Sequence, residues 1–89
     1  MEYAMQSKSW DRETILAVWV KGYAIPGYSP NEYRKDVYGT IMRFSDYGNR
    51  DSRLGWEVDH IVPQAKGGSD SLSNLQPLQW ENNVRKGDK

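Results

Sequence analysis

The sequence predicts a small α+β domain, with a helix near the N-terminus and a hairpin closed by a helix at the C-terminus. Three observations carry that expectation. Ile15, Leu16 and Trp19 recur at helical spacing behind an aspartate suited to capping. Two segments rich in strand formers, residues 56–61 and 75–78, flank a loop of glycine and serine. Trp80 and Val84 then lie four residues apart, the interval that places two side chains on one helical face.

Taken in order, residues 1–9 lack apolar periodicity and read as a loosely ordered lead-in, with Tyr3 or Met5 available for a docking contact. Asp11 is placed as an N-cap, with Trp10 before it and Ile15 four residues in forming a hydrophobic staple. The helix should run over 11–21, bury Ile15, Leu16, Trp19 and Val20 along one stripe, and stop at Gly22. Ser29, Pro30 and Glu32 match a second start signal, cut short by Gly39, so one or two helical turns are expected over 30–36 and an extended segment over 40–44. Residues 45–54 read as a polar loop that delivers Arg50 and Arg53 toward the C-terminal region. A strand over 56–61, a loop over 64–74, a strand over 75–78 and a two-turn helix over 80–86 complete the chain. In that helix Trp80 and Val84 should share the buried face, and Asn82 should face solvent. With no repeat and no linker, the expectation is one domain over 1–89: a lead-in, a support region over 10–55, and a motif region over 56–89.

Composition sets limits on how such a chain can hold together and what it can bind. At 89 residues it buries a smaller fraction of its surface than a typical enzyme domain. It has no cysteine, which removes disulfides and thiolate zinc knuckles alike, so a structural zinc is disfavoured. Four tryptophans, six tyrosines and one phenylalanine offer compensating area. Twelve basic and twelve acidic side chains cancel, which argues against strong non-specific affinity for a polyanion, although one bound divalent cation would move the balance to about +2 and a local basic strip can outweigh net charge. No apolar run approaches the roughly 20 residues that span a bilayer, and the N-terminus lacks the order of a signal peptide. A soluble, cytoplasmic protein with no membrane partner is expected.

The chemistry concentrates in residues 56–89, WEVDHIVPQAKGGSDSLSNLQPLQWENNVRKGDK. His60 is the one histidine, and its side-chain type titrates nearest neutrality, which suits a general base. Asp59 and Asn83 present hard oxygen donors, which favour magnesium, with manganese second. Glu57 lies two residues before Asp59, on the same face of a strand, where it could bind a metal-held water. Each residue alone has a plain structural account: a surface Asp-His pair, Asn74 as a turn residue, Lys86 in a solvated terminus. Read jointly, those accounts require several coincidences.

This segment resembles the HNH endonucleases of the ββα-metal superfamily, in their variant with asparagine at the third motif position. The likeness rests on Asp59-His60-Ile61 with Pro63 beyond it, Gly67-Gly68, Asn74-Leu75-Gln76-Pro77-Leu78, and Asn83 followed by Lys86-Gly87-Asp88. It implies that Asp59 and Asn83 bind the metal, His60 activates water, and Asn74 holds the histidine in orientation. It also implies that Lys86, with Arg85 as a second candidate, contacts phosphate. The expected function is thus a metal-dependent endonuclease that hydrolyses nucleic acid, DNA ahead of RNA, using one divalent cation, in a prokaryotic or phage-type setting. A homodimer is compatible with it, since two chains would cut two strands. The alternatives are a catalytically weak nucleic-acid-binding or regulatory module on the same fold, and a structural interaction domain.

Overall fold

The computed structural model describes residues 9–87, so Tyr3 and Met5, with Asp88 and Lys89, lie outside the described residues. Helix α1 (Arg12–Trp19) starts at the expected cap, where the Asp11 side chain accepts a 2.8 Å hydrogen bond from the Thr14 backbone N–H. Thr14, through its hydroxyl and its backbone, holds the Asp11 carboxyl below its ordinary pKa. A depressed acid of this kind stabilises the helix above its unfolded pKa and loses that contribution as pH falls through the folded value. The helix ends earlier than expected and turns a different face inward. Val18 and Trp19 are buried and Ile15 packs on them, whereas Leu16 and Val20 are exposed. The reason lies at the C-terminal end, where Arg34 donates to the carbonyls of Val20 and Gly22, and Lys21 reaches Leu75 O at 2.8 Å. Arg34 thus takes up carbonyls at the helix end, and Lys21 ties that end to the hairpin at Leu75.

Strands β1 (Tyr23–Ala24), β2 (Tyr33–Lys35) and β3 (Ile41–Arg43) form an antiparallel sheet in that order, with Arg34 opposite Met42. The start signal at Ser29 therefore gives a turn and not a helix. Ser29 O accepts from both Glu32 and Tyr33, after which the chain runs directly into β2 and pairs with β3. Cross-strand pairing overrides the local propensity of residues 30–36. The extended segment expected at 40–44 is present as β3, followed by a 3-10 turn at Phe44–Asp46.

Strands β4 (Trp56–His60) and β5 (Leu75–Gln79) form an antiparallel hairpin in which Trp56 faces Gln79 and His60 faces Leu75. Helix α2 (Trp80–Lys86) follows β5 without a break, its N-cap Gln79 accepting from the backbone of Glu81 and Asn82. The core is aromatic. Trp19 and Trp56 lie 5.0 Å apart, with Phe44 and Tyr47 against them at 5.4 and 5.0 Å, and Val18, Met42 and Leu75 fill in around the group. Indole N–H groups stay satisfied: Trp19 donates to Pro30 O and Trp56 to Phe44 O.

Asp36, only 2% exposed, ties the two sheets together. Its Oδ1 accepts from the backbone N–H of Tyr38 and Thr40, and its Oδ2 from the Gln79 N–H and the Asn82 side-chain amide. Asn82 is thus the buried member of the asparagine pair, contrary to the expectation from the sequence, and Val84, expected on the buried face with Trp80, is exposed. The phase of a two-turn helix is set by what covers it, and here the cover is the β2 to β3 turn. Replacing Asp36 with alanine should strand these donors and lower stability by at least about 3 kcal/mol in chemical denaturation. A loss near zero would show that Asp36 is not the tie.

Candidate active site

Strand alternation sets the two sides of the site. Glu57 and Asp59 project from one face of β4, toward α2, and Trp56, Val58 and His60 from the other, toward the aromatic core and α1. At the end of the strand the two faces converge on a cleft of about 350 Å³ lined by Asp59, His60, Gln64, Asn83 and Lys86. Of the residues singled out from sequence, Asp59, His60, Asn83 and Lys86 line this cleft. Glu57, Asn74 and Arg85 lie outside its wall.

Asp59 is 7% exposed and is held on both oxygens. Gln76, its cross-strand neighbour, donates to Oδ2 at 2.9 Å. The Lys86 ammonium lies 3.2 Å from the carboxylate and 2.9 Å from His60 O. Lys86 therefore spends its charge inside the site. Asn83 donates its side-chain N–H to Glu57 at 2.8 Å, a bond that fixes the amide and leaves its Oδ1 for another partner. Glu57 is itself gripped by Arg50 through two bonds of 2.6 and 2.9 Å, so the polar loop delivers this arginine as expected. The phenol of Tyr47 is pushed above its ordinary pKa by burial and then by the nearby Glu57, and stays neutral.

His60 is positioned by groups the sequence did not single out for that task. Its Nε2 lies 2.7 Å from Asp70 Oδ1, and its ring packs 5.7 Å from the Trp10 indole. Asn74 does not touch the imidazole. Its Oδ1 accepts from the Val62 N–H, its Nδ2 donates to Val62 O and Ser69 O, and its own carbonyl accepts from Ile61. Asn74 thus clamps the two ends of the loop after β4, and the closed loop presents Asp70 to His60. Gly68 is required in that closure, since a Cβ there would stand 1.7 Å from Val62 O. Gly67 supplies the left-handed turn beside it with φ of 90°. Nothing in the string Gly68-Ser69-Asp70-Ser71 marks the aspartate apart from its acidity, because its role depends on how the loop folds back.

A hairpin closed by a short helix, presenting Asp59, His60 and Asn83 to one cleft, is the ββα arrangement. Residues 47–89 match the family model for the HNH endonuclease. The match begins ahead of Trp56 and so takes in the loop that carries Arg50. No curated protein and no solved structure matches the chain. No helix among the described residues is long and apolar enough to cross a membrane.

The donor set can be weighed for a cation. Among the described residues no group of three or more His, Asp or Glu side chains is arranged to hold a metal. One carboxylate and one amide oxygen remain, a hard and sparse set that suits an ion keeping much of its water. A positive group, the Lys86 ammonium, already stands at Asp59, so the place attracts a cation. Both members of that pair are largely buried, and Lys86→Met should leave an uncompensated carboxylate and cost about 3 kcal/mol of stability in urea unfolding. An unchanged midpoint would mean that solvent already screens Asp59.

Proposed function

We propose that this domain is a metal-dependent endonuclease that hydrolyses DNA phosphodiester bonds with His60 as general base. The observation that carries the reading is the cleft itself, which sets an imidazole oriented by a carboxylate beside a hard oxygen donor pair. Asp70, accepting the Nε2 proton, selects the tautomer with its lone pair on Nδ1 and stabilises the imidazolium formed when water gives up its proton. That water oxygen attacks phosphorus, the bond to the 3′ oxygen breaks, and the departing oxygen takes a proton from solvent. Asp59 and Asn83 are the residues that would hold a divalent ion, magnesium ahead of manganese. The ion would supply positive charge at the phosphate and at the leaving oxygen. Glu57, fixed by Arg50, holds Asn83 in place for this. Lys86 and Arg85 are the cations at hand for phosphate, Lys86 once it leaves Asp59.

Supercoiled plasmid with magnesium or manganese tests the catalytic claim. His60→Ala should nick at least about 100-fold more slowly than the parent protein, the usual scale for loss of a general base. Equal rates would end the assignment. Metal binding is read separately through stability: magnesium should raise the unfolding midpoint of Lys86→Met by more than that of the parent, because the ion replaces the missing ammonium without having to displace it. No metal dependence in either protein would remove the ion from the reading.

A second reading keeps the fold but makes the domain a nucleic-acid-binding or regulatory module. The pairing of both acids with internal cations, Lys86 on Asp59 and Arg50 on Glu57, favours it. Nucleic-acid binding without His60-dependent nicking would select that reading.

A further inference from the structure

Next to the catalytic cleft lies a second concavity that the hydrolytic chemistry does not use. It is an open groove of about 590 Å³ lined by Tyr38, Thr40, Asn82, Arg85 and Lys86, and it meets the cleft at Lys86. One wall comes from α2 and the other from the turn between β2 and β3, outside the segment that matches the family model.

Tyr38 stands at the tip of that turn with 62% of its surface exposed. Exposed tyrosines are common, and mobile ones make poor binding platforms. This one rides on a fixed backbone. Asp36 Oδ1 accepts from the Tyr38 N–H at 3.0 Å and from the Thr40 N–H at 3.0 Å, and Gly39, with φ of 84°, closes the turn onto Asp36 O. The other oxygen of the same carboxylate holds Asn82, whose amide also donates to Thr40 Oγ1. One buried group thus fixes both walls relative to each other. The next residues on α2 are Arg85, exposed and bonded through its guanidinium to Asn82 Oδ1, and Lys86. A flat aromatic face and a guanidinium are therefore displayed side by side, on a rigid frame, one step from the hydrolytic centre.

The geometry points to this groove as a subsite for an unpaired nucleotide flanking the scissile phosphate, its base stacked on Tyr38 and its phosphate paired with Arg85. Stacking on an aromatic face needs no particular base, and a guanidinium fork matches phosphate oxygens. A base inside an intact duplex cannot offer its face to Tyr38, so the groove selects single-stranded, frayed or flapped DNA over continuous duplex. The subsite rests on the nuclease reading for its place beside a scissile bond, whereas its binding can be measured without cleavage.

Fluorescence anisotropy with a labelled single-stranded DNA oligonucleotide and its duplex, in EDTA, reads the subsite directly. Tyr38→Ala should weaken single-strand binding about tenfold and change duplex binding by less than about twofold, while Tyr38→Trp retains single-strand affinity. Arg85→Gln should weaken both. Tyr28→Ala removes another exposed tyrosine, one that packs edge-on against Tyr33 away from the groove, and should bind as the parent does. Thermal unfolding of each variant shows that the fold is kept. The proposal is overturned if the parent protein binds no single strand, if Tyr38→Ala binds it undiminished, or if Tyr28→Ala loses as much. Plasmid nicking that persists in the parent while these binding differences vanish would sink the subsite and leave the nuclease standing. Tyr38-dependent binding without His60-dependent nicking would do the reverse.

Discussion

A carboxylate buried away from solvent is costly unless every lone pair is used, and Asp36 meets that condition with four donors. Its partners come from three places: the turn after β2, the last residue of β5, and the first turn of α2. The three-stranded sheet and the hairpin share no strand, so their relative placement leans on this contact, with Asn82 to Thr40 Oγ1 and Trp56 to Phe44 O beside it. Because α2 also carries Asn83 and Lys86, the position of the cleft against β4 depends on a residue far from it in sequence.

The aromatic core serves the same end by other means. Without cysteine, the hairpin has neither a disulfide nor a thiolate metal site to brace it. Trp56, fully buried at the start of β4, receives Trp19 from α1, Phe44 from the 3-10 turn and Tyr47 from the loop. One side chain thus gathers α1, the 3-10 turn and the loop onto the hairpin. The order that begins at Trp56 continues along the same face of β4 to Val58 and to His60, where Trp10 takes over as packing partner. The imidazole is in this sense the polar end of the core.

What could be read from sequence divides along the same physical line. Asp11, the hairpin strands and the helix at Trp80–Lys86 were legible because capping, alternation and chain reversal are local. The inward face of α1, the strand at Tyr33–Lys35 and the burial of Asn82 were not, because each is decided by a partner distant in sequence: Arg34 on the helix end, β3 on β2, Asp36 on α2. The site shows the same split. The residue types at Asp59, His60, Asn74 and Asn83 were conspicuous by spacing, and all but Asn74 line one cleft. That Asp70 and not Asn74 contacts the imidazole follows from a loop closure which Gly68 permits and Asn74 clamps, and no local pattern announces it.

The balance of charge looks different once its placement is known. Lys21 and Arg34 are spent on backbone carbonyls, Arg50 on Glu57 and Lys86 on Asp59, so several cations that the composition counts are not displayed to a ligand. Asp36 and Asp59 are equally withheld from the surface. Arg85 and Tyr38, beside the cleft, stay exposed to solvent. On the reading proposed above, a cation taken up at Asp59 would add its own charge and also release the Lys86 ammonium toward the groove. Attraction for a phosphate backbone, already present at Arg85, would then be strengthened by the metal, and the neutral total of the chain would describe a resting state rather than the metal-loaded form.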